Sequence, residues 1–191
     1  MVLSAHRFPS VYEDLDLNLS QLGCIMLDTQ PGSIKVGDEL AQLGAEPYTS
    51  PDPDKFWIKG VVGDDTAHVT LLYGLLESGP DWRQYVDTVL DGWTPEPVVV
   101  EDVGYFGSPY PDERYWCIIA RLRLTENLLE ANGRLRFLPH VDTFTMYRPH
   151  VTLAYIRGDE TERDRVIAAL NNALAGSELP VSPELNYGGN H

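Results

Sequence analysis

The chain is 191 residues long and carries a formal charge of −15, from 29 acidic against 14 basic side chains. Such a field repels extended polyanions, which argues against binding of long nucleic acid and leaves room for a small anionic ligand in a locally basic cleft. A hydrophobic share of 43% and an aromatic share of 10% fit a folded chain with a substantial core rather than a disordered one.

Residues 1–21 are polar and acidic with weak periodicity and read as an N-terminal arm, partly disordered, in which His6 has no evident role. No basic-then-apolar signal segment opens the chain, and no apolar stretch approaches a membrane span. Cys24 and Cys117 both sit in apolar stretches and build neither a disulfide framework nor a Cys-x-x-Cys pattern. A reducing cytoplasm, without membrane contact, is the expected location.

In chain order, Leu22 to Leu27 predicts a buried strand, with a turn over 28–32. Val36 to Leu43 predicts a short helix, and the proline-rich stretch Pro47 to Asp54 a loop. Phe56 to Val62 has strand composition. A helix is predicted from an N-cap at Asp81, with Trp82, Tyr85, Val86, Val89 and Leu90 as its apolar stripe and Gly92 at its end. Val98 to Phe106 and Tyr115 to Leu124 predict a hairpin around a Pro-rich loop. Thr125 opens a helix to Leu135, with Leu128, Leu129 and Leu135 inward. A last helix spans about 161–174, and Leu179 to Tyr187 predicts a closing strand. The sum is an α+β chain.

One phrase occurs in each half. Residues His68-Val69-Thr70-Leu71-Leu72-Tyr73 and His150-Val151-Thr152-Leu153-Ala154-Tyr155 both read His-Val-Thr-Leu-x-Tyr, in β-branched, apolar surroundings that predict strands. Alternation puts each histidine and threonine on one face and turns Val69, Leu71 and Tyr73, like Val151, Leu153 and Tyr155, to the other. A pair of imidazoles can divide the two proton transfers of phosphodiester cleavage, one taking a proton from the nucleophile and one giving a proton to the leaving oxygen. A hydroxyl two residues along the same strand is placed to donate to a phosphoryl oxygen as it gains charge.

Other chemistries fit less well. Zinc favours His or Cys at short fixed spacings, threonine is a poor ligand, and His140 with Asp142 beside the second motif makes only a loose set. Neither a metal nor a cofactor is therefore expected. No serine or cysteine sits in a nucleophile elbow, and no glycine loop cradles phosphate. From Arg114 to Arg165 every basic residue is an arginine. Most read as solvated surface, with Arg148, next to the second motif, as the candidate phosphate contact. Of the aromatic residues, Trp57, Tyr105, Phe106, Tyr115 and Trp116 read mainly as core. Tyr110, in the Pro-rich loop, is the exception and a candidate base-stacking contact.

These paired His-x-Thr-Leu strands resemble the 2H phosphoesterase superfamily. It includes the LigT-like RNA 2′,3′-cyclic phosphodiesterases and the phage anti-CBASS enzymes that degrade cyclic nucleotide immune signals. The resemblance spans about Leu22 to Tyr187, although only the two motifs are sharp. It implies that 22–191 form a single bilobal domain, two antiparallel sheets with outer helices around a central cleft. It also implies metal-independent catalysis, with His68 and His150 as the acid–base pair and Thr70 and Thr152 as phosphate contacts. Because long polyanions are disfavoured, the expected substrate is a small cyclic nucleotide signal, in a host cytoplasm if the chain is phage-encoded. The alternative is a 2′,3′-cyclic phosphate at an RNA end. A non-catalytic sponge that sequesters a nucleotide would use the same cleft, and the presence of both histidines favours the enzyme.

Overall fold

The computed structural model describes residues 22–31, 35–63, 66–77, 79–142, 144 and 146–188. The arm expected over 1–21, with His6, and turn residue Gly32 lie outside the described residues. The described chain is α+β. Its strands are β1 (Gly23–Thr29), β2 (His68–Leu75), β3 (Val98–Gly107), β4 (Trp116–Leu122), β5 (His150–Ile156), β6 (Glu178–Leu179) and β7 (Val181–Gly188). Its helices are α1 (Val36–Leu43), α2 (Arg83–Val89), α3 (Glu126–Leu135) and α4 (Glu160–Leu174).

The strands form one seven-stranded sheet in the order β6-β3-β4-β5-β2-β1-β7, with every pairing antiparallel. The expectation of two sheets thus meets a single one. Its centre is thin, because β2 and β5 share only the registered pair Val69 and Val151. Beyond that pair the two strands part, and β5 is bridged instead by Pro47 and Val61.

Alternation sorts the sheet into two faces. On β4, Ile118, Ala120 and Leu122 enter the main core, whereas Cys117 and Ile119 enter a second, smaller cluster with Tyr48, Ile58 and Tyr115. The main core takes the inward residues of all four helices: Val36 and Leu40, Val86, Leu128, Ala131 and Leu135, then Val166, Leu170 and Leu174. Their spacing of three and four residues is the apolar stripe that a helix lays on a sheet. The helices therefore cover one face, and the other is left to loops and to the repeated motifs.

Caps define the helix ends where the sequence supplies them. Thr125 accepts from Leu128 N at 3.3 Å and Asp159 from Glu162 N at 2.9 Å, each satisfying a backbone donor of the first turn. Asp81 does not cap α2. It lies in a 3-10 turn, Gly79–Trp82, that leads into the helix. Leu129 and Tyr85, expected inward, are exposed. Phe56 to Val62 does not form a strand and makes only isolated bridges, Lys59 to Thr49 and Val61 to Ala154. Gly60, at φ 73°, breaks the extended backbone there.

Candidate active site

The Val69–Val151 pair organises the site. Both valines point into the main core and are fully buried, so their neighbours face the opposite side. The antiparallel register through that pair sets His68 across from Thr152 and His150 across from Thr70. The pair thus brings the two motifs together about a local two-fold axis, with His68 near enough to His150 to act on its pKa. All four side chains are half-buried.

The imidazoles are held alike. His68 Nδ1 lies 3.0 Å from the carbonyl of Thr66, and His150 Nδ1 lies 3.0 Å from that of Arg148. A carbonyl only accepts, so each Nδ1 carries the proton and donates it, which leaves Nε2 as the nitrogen available for proton transfer. Burial pushes the His150 pKa down, and nearby His68 adds to the effect, against the pull of the Arg148 carbonyl. Phe106 stands edge-on to the His150 ring with centroids 5.2 Å apart.

Register brings in two residues that the sequence did not single out. Asp28 on β1 is the cross-strand partner of His68, and Arg121 on β4 is that of His150. Asp28 accepts from Asn186 Nδ2 at 2.8 Å, and the Arg121 guanidinium pairs in two-pronged fashion with Asp102. Opposite charges thus occupy equivalent places beside the two histidines. No local signal marks them, because their position depends on pairing between distant segments.

The two tyrosines correct the reading by alternation. In β2 the register against β1 shifts between Ile25 and Met26, leaving Leu71 as an extra residue. In β5 the register against β4 shifts between Ile118 and Ile119, leaving Leu153 as the extra residue. Each is a β-bulge at the same place in the repeated phrase, and each reverses the facing of the residues beyond it. Tyr73 and Tyr155 therefore share the face of the histidines. The bulged carbonyls find partners outside the ladder: Leu71 O accepts from Asn132 Nδ2 at 2.7 Å and Leu153 O from Val62 N at 3.0 Å. Each tyrosine also lies across from a cysteine, Tyr73 from Cys24 and Tyr155 from Cys117.

Around Tyr155 the wall of the site is aromatic. Its ring meets Tyr115 edge-on at 5.5 Å, and Tyr115 stacks on Tyr48 at 5.3 Å. Cys117 lies across from Tyr155 on the same face as Thr152, which pairs with Ile119. The Pro-rich loop is tied down beside them by buried Glu113, which accepts from the Tyr48 hydroxyl and pairs with Lys55. The bond from Lys55, then that from Tyr48, brings the Glu113 carboxyl down to about 2.

The remaining candidates separate. The Tyr110 ring is half-buried beneath the Lys55 ammonium at 4.2 Å. The Arg148 side chain is exposed, and it is the residue's carbonyl that enters the site. Of the aromatic residues read as core, only Tyr115 is fully buried, whereas Trp57, Tyr105 and Phe106 are exposed. Tyr105 and Trp116 flank the Arg163 guanidinium at 4.1 and 4.5 Å. Asp142 Oδ1 accepts from His140 Nε2 at 3.2 Å and also pairs with Arg136 at 2.7 Å.

No family model matches the sequence, and no curated protein matches it. Among solved structures, the chain is similar to Usb1 of Kluyveromyces marxianus, with a TM-score of 0.45 and 11% identity over 90% of this chain and 99% of that one. It is also similar to the same protein solved with uridine monophosphate, with a TM-score of 0.44 and 12% identity over the same shares.

Proposed function

We propose that the chain is a metal-independent phosphodiesterase of the two-histidine type, acting on nucleotide phosphodiesters next to a ribose 2′-oxygen. The observation that carries this reading is the crossing at Val69 and Val151, where each imidazole opposes the other motif's hydroxyl and each Nδ1 is occupied by a carbonyl. His150, held neutral by burial, is the base, and His68 supplies the proton. Thr70 and Thr152 donate to the non-bridging oxygens as they gain charge.

The substrate that these four side chains suffice for is a 2′,3′-cyclic phosphate at an RNA end. His150 takes a proton from water, the water oxygen bonds to phosphorus, one ribose–oxygen bond to phosphorus breaks, and His68 protonates the departing oxygen. With a 3′-5′ linkage the ribose 2′-hydroxyl replaces water and the 5′-oxygen leaves, so the product carries a 2′,3′-cyclic phosphate. The charge of −15 favours a compact nucleotide, which supports a second reading: the substrate is a small cyclic nucleotide signal of the kind that anti-CBASS enzymes remove.

A substrate panel read by mass spectrometry separates these readings. It holds an oligonucleotide ending in a 2′,3′-cyclic phosphate, the same chain with free terminal hydroxyls, and cyclic di- and trinucleotides. Opening or trimming of the RNA ends supports the first reading, and cleavage of the cyclic species alone supports the second. Recovery of intact, bound ligand after denaturation identifies a sponge and ends both.

A further inference from the structure

Beside the two motifs the pseudo-symmetry of the site breaks, and it breaks in charge. We propose that Arg121 forms a second anion subsite: its guanidinium binds the phosphodiester group next to the scissile one, so that the substrate lies across the joint with its further phosphate on the β3–β4 flank. The proposal rests on the phosphodiesterase reading for the place of the scissile phosphate and on the structure for the place of the cation.

Register puts Arg121 directly across from His150, and the burial of Ala120 and Leu122 in the main core turns it to the face of the motifs. Val103 in the same core likewise turns Asp102, Phe106 and the Cβ position of Gly104 to that face of β3. Both head groups come to rest on this row. The guanidinium lies on Gly104, where a Cβ would stand 3.1 Å from its Cζ and Nε, and the His150 ring meets Phe106 at 5.2 Å. Gly104 and Phe106 are about 7 Å apart along the strand, a separation that one nucleoside spans. Asp102 takes Nε and Nη2 in its two-pronged pair, which fixes the plane of the fork. Nη1 keeps both of its N–H groups, and among the described residues nothing accepts from them. The Arg121 side chain is still 56% exposed, so an incoming anion reaches it. Because Asp102 balances the charge, the subsite works through directed N–H donors, which a lysine does not reproduce. At the equivalent place beside His68 stands Asp28, a carboxylate that accepts from Asn186 and repels a phosphate. Of these two places, only the one on β4 suits a second phosphate.

The test compares kcat/KM for uridine 2′,3′-cyclic phosphate with that for a diuridine ending in the same group, which adds one phosphodiester. The ratio of the two cancels any effect on the chemical step. Wild type is expected to prefer the dinucleotide about tenfold, chiefly through KM. Arg121→Lys, and Arg121→Gln combined with Asp102→Asn, are expected to bring the ratio close to one. Neither variant leaves the carboxylate at 102 without a counter-charge, and thermal melting checks that each is folded. A diuridine whose added linkage is a neutral methylphosphonate should lose the preference in wild type, which separates the phosphate from the extra base. A second readout needs no turnover: calorimetric binding of uridine 3′-monophosphate and of the diuridine 3′-monophosphate should give the same tenfold ratio and the same losses. Arg121-dependent binding in a protein that turns over neither substrate supports the subsite and refutes the phosphodiesterase reading. A cyclic diuridine runs alongside, and Arg121-dependent binding of it, but not of the linear pair, assigns the second phosphate to a cyclic nucleotide rather than an RNA end. A wild-type ratio near one with no Arg121-dependent binding of the cyclic species, a ratio unchanged in both variants, or a preference that survives the methylphosphonate overturns the subsite.

Discussion

At His150 the position of one proton decides the chemistry. The Arg148 carbonyl claims Nδ1, and burial lowers the affinity of Nε2 for a second proton. The base limb of kcat/KM is therefore expected below the ~6.5 of an unperturbed imidazole, with activity rising with pH through that point. A pH profile of kcat/KM checks this, and a limb well above that value counts against His150 as the base. The same shift has a stability consequence. The unfolded chain binds a proton at His150 more readily than the folded one, so this contribution to stability is present above the unfolded pKa and declines as pH falls below it. Thr70→Val and Thr152→Val each remove one donor to the phosphoryl group, and each is expected to lower kcat about 10- to 100-fold. Single-turnover rates separate that loss from a change in binding.

At the scale of elements, the bulges carry the most information. Strict alternation correctly placed the histidines, threonines and valines, and it failed at Tyr73 and Tyr155. One extra residue in each strand reverses the facing, and neither Leu71 nor Leu153 differs from an ordinary strand leucine. Helices α1, α3 and α4 were legible because spacing and caps such as Thr125 act locally. Phe56 to Val62 was misread because its composition suits a strand, whereas Gly60 turns the backbone and β5 offers only isolated bridges. Asp28 and Arg121 were invisible for a third reason: strand register is a property of distant segments. The latch of the Pro-rich loop makes its own prediction. Glu113 has a folded pKa of about 2 against an ordinary 4.5, so its stabilising contribution is full above the ordinary value and is lost as pH falls toward 2. Acid titration followed by tyrosine fluorescence should show the loop releasing across that window. Glu113→Gln should abolish the step, and an unchanged step would show that another group controls the loop.

For the whole molecule, two features bear on function. The sheet is continuous across a single registered pair, so its two flanks meet where the chemistry is proposed. Val151→Ala deletes fully buried apolar volume at that joint and is expected to destabilise by about 1–3 kcal/mol. It should also lower kcat by more than an equally destabilising core substitution on α4, such as Val166→Ala, and equal losses would show that the joint has no special part. The net charge is the second feature. A basic nuclease loses affinity with salt, but a chain at −15 repels its anionic substrate over long range, so moderate salt should raise kcat/KM.

The central claim is that two imidazoles, acting as a unit, cleave a phosphodiester without metal. It is tested most directly with EDTA-treated protein on an oligonucleotide ending in a 2′,3′-cyclic phosphate, comparing wild type with His68→Ala, His150→Ala and the double variant. The account predicts undiminished wild-type turnover and a loss of about 10²–10⁴-fold in each single variant, with the double variant little worse than either. Activity that vanishes with EDTA, or that survives loss of either histidine, would contradict it.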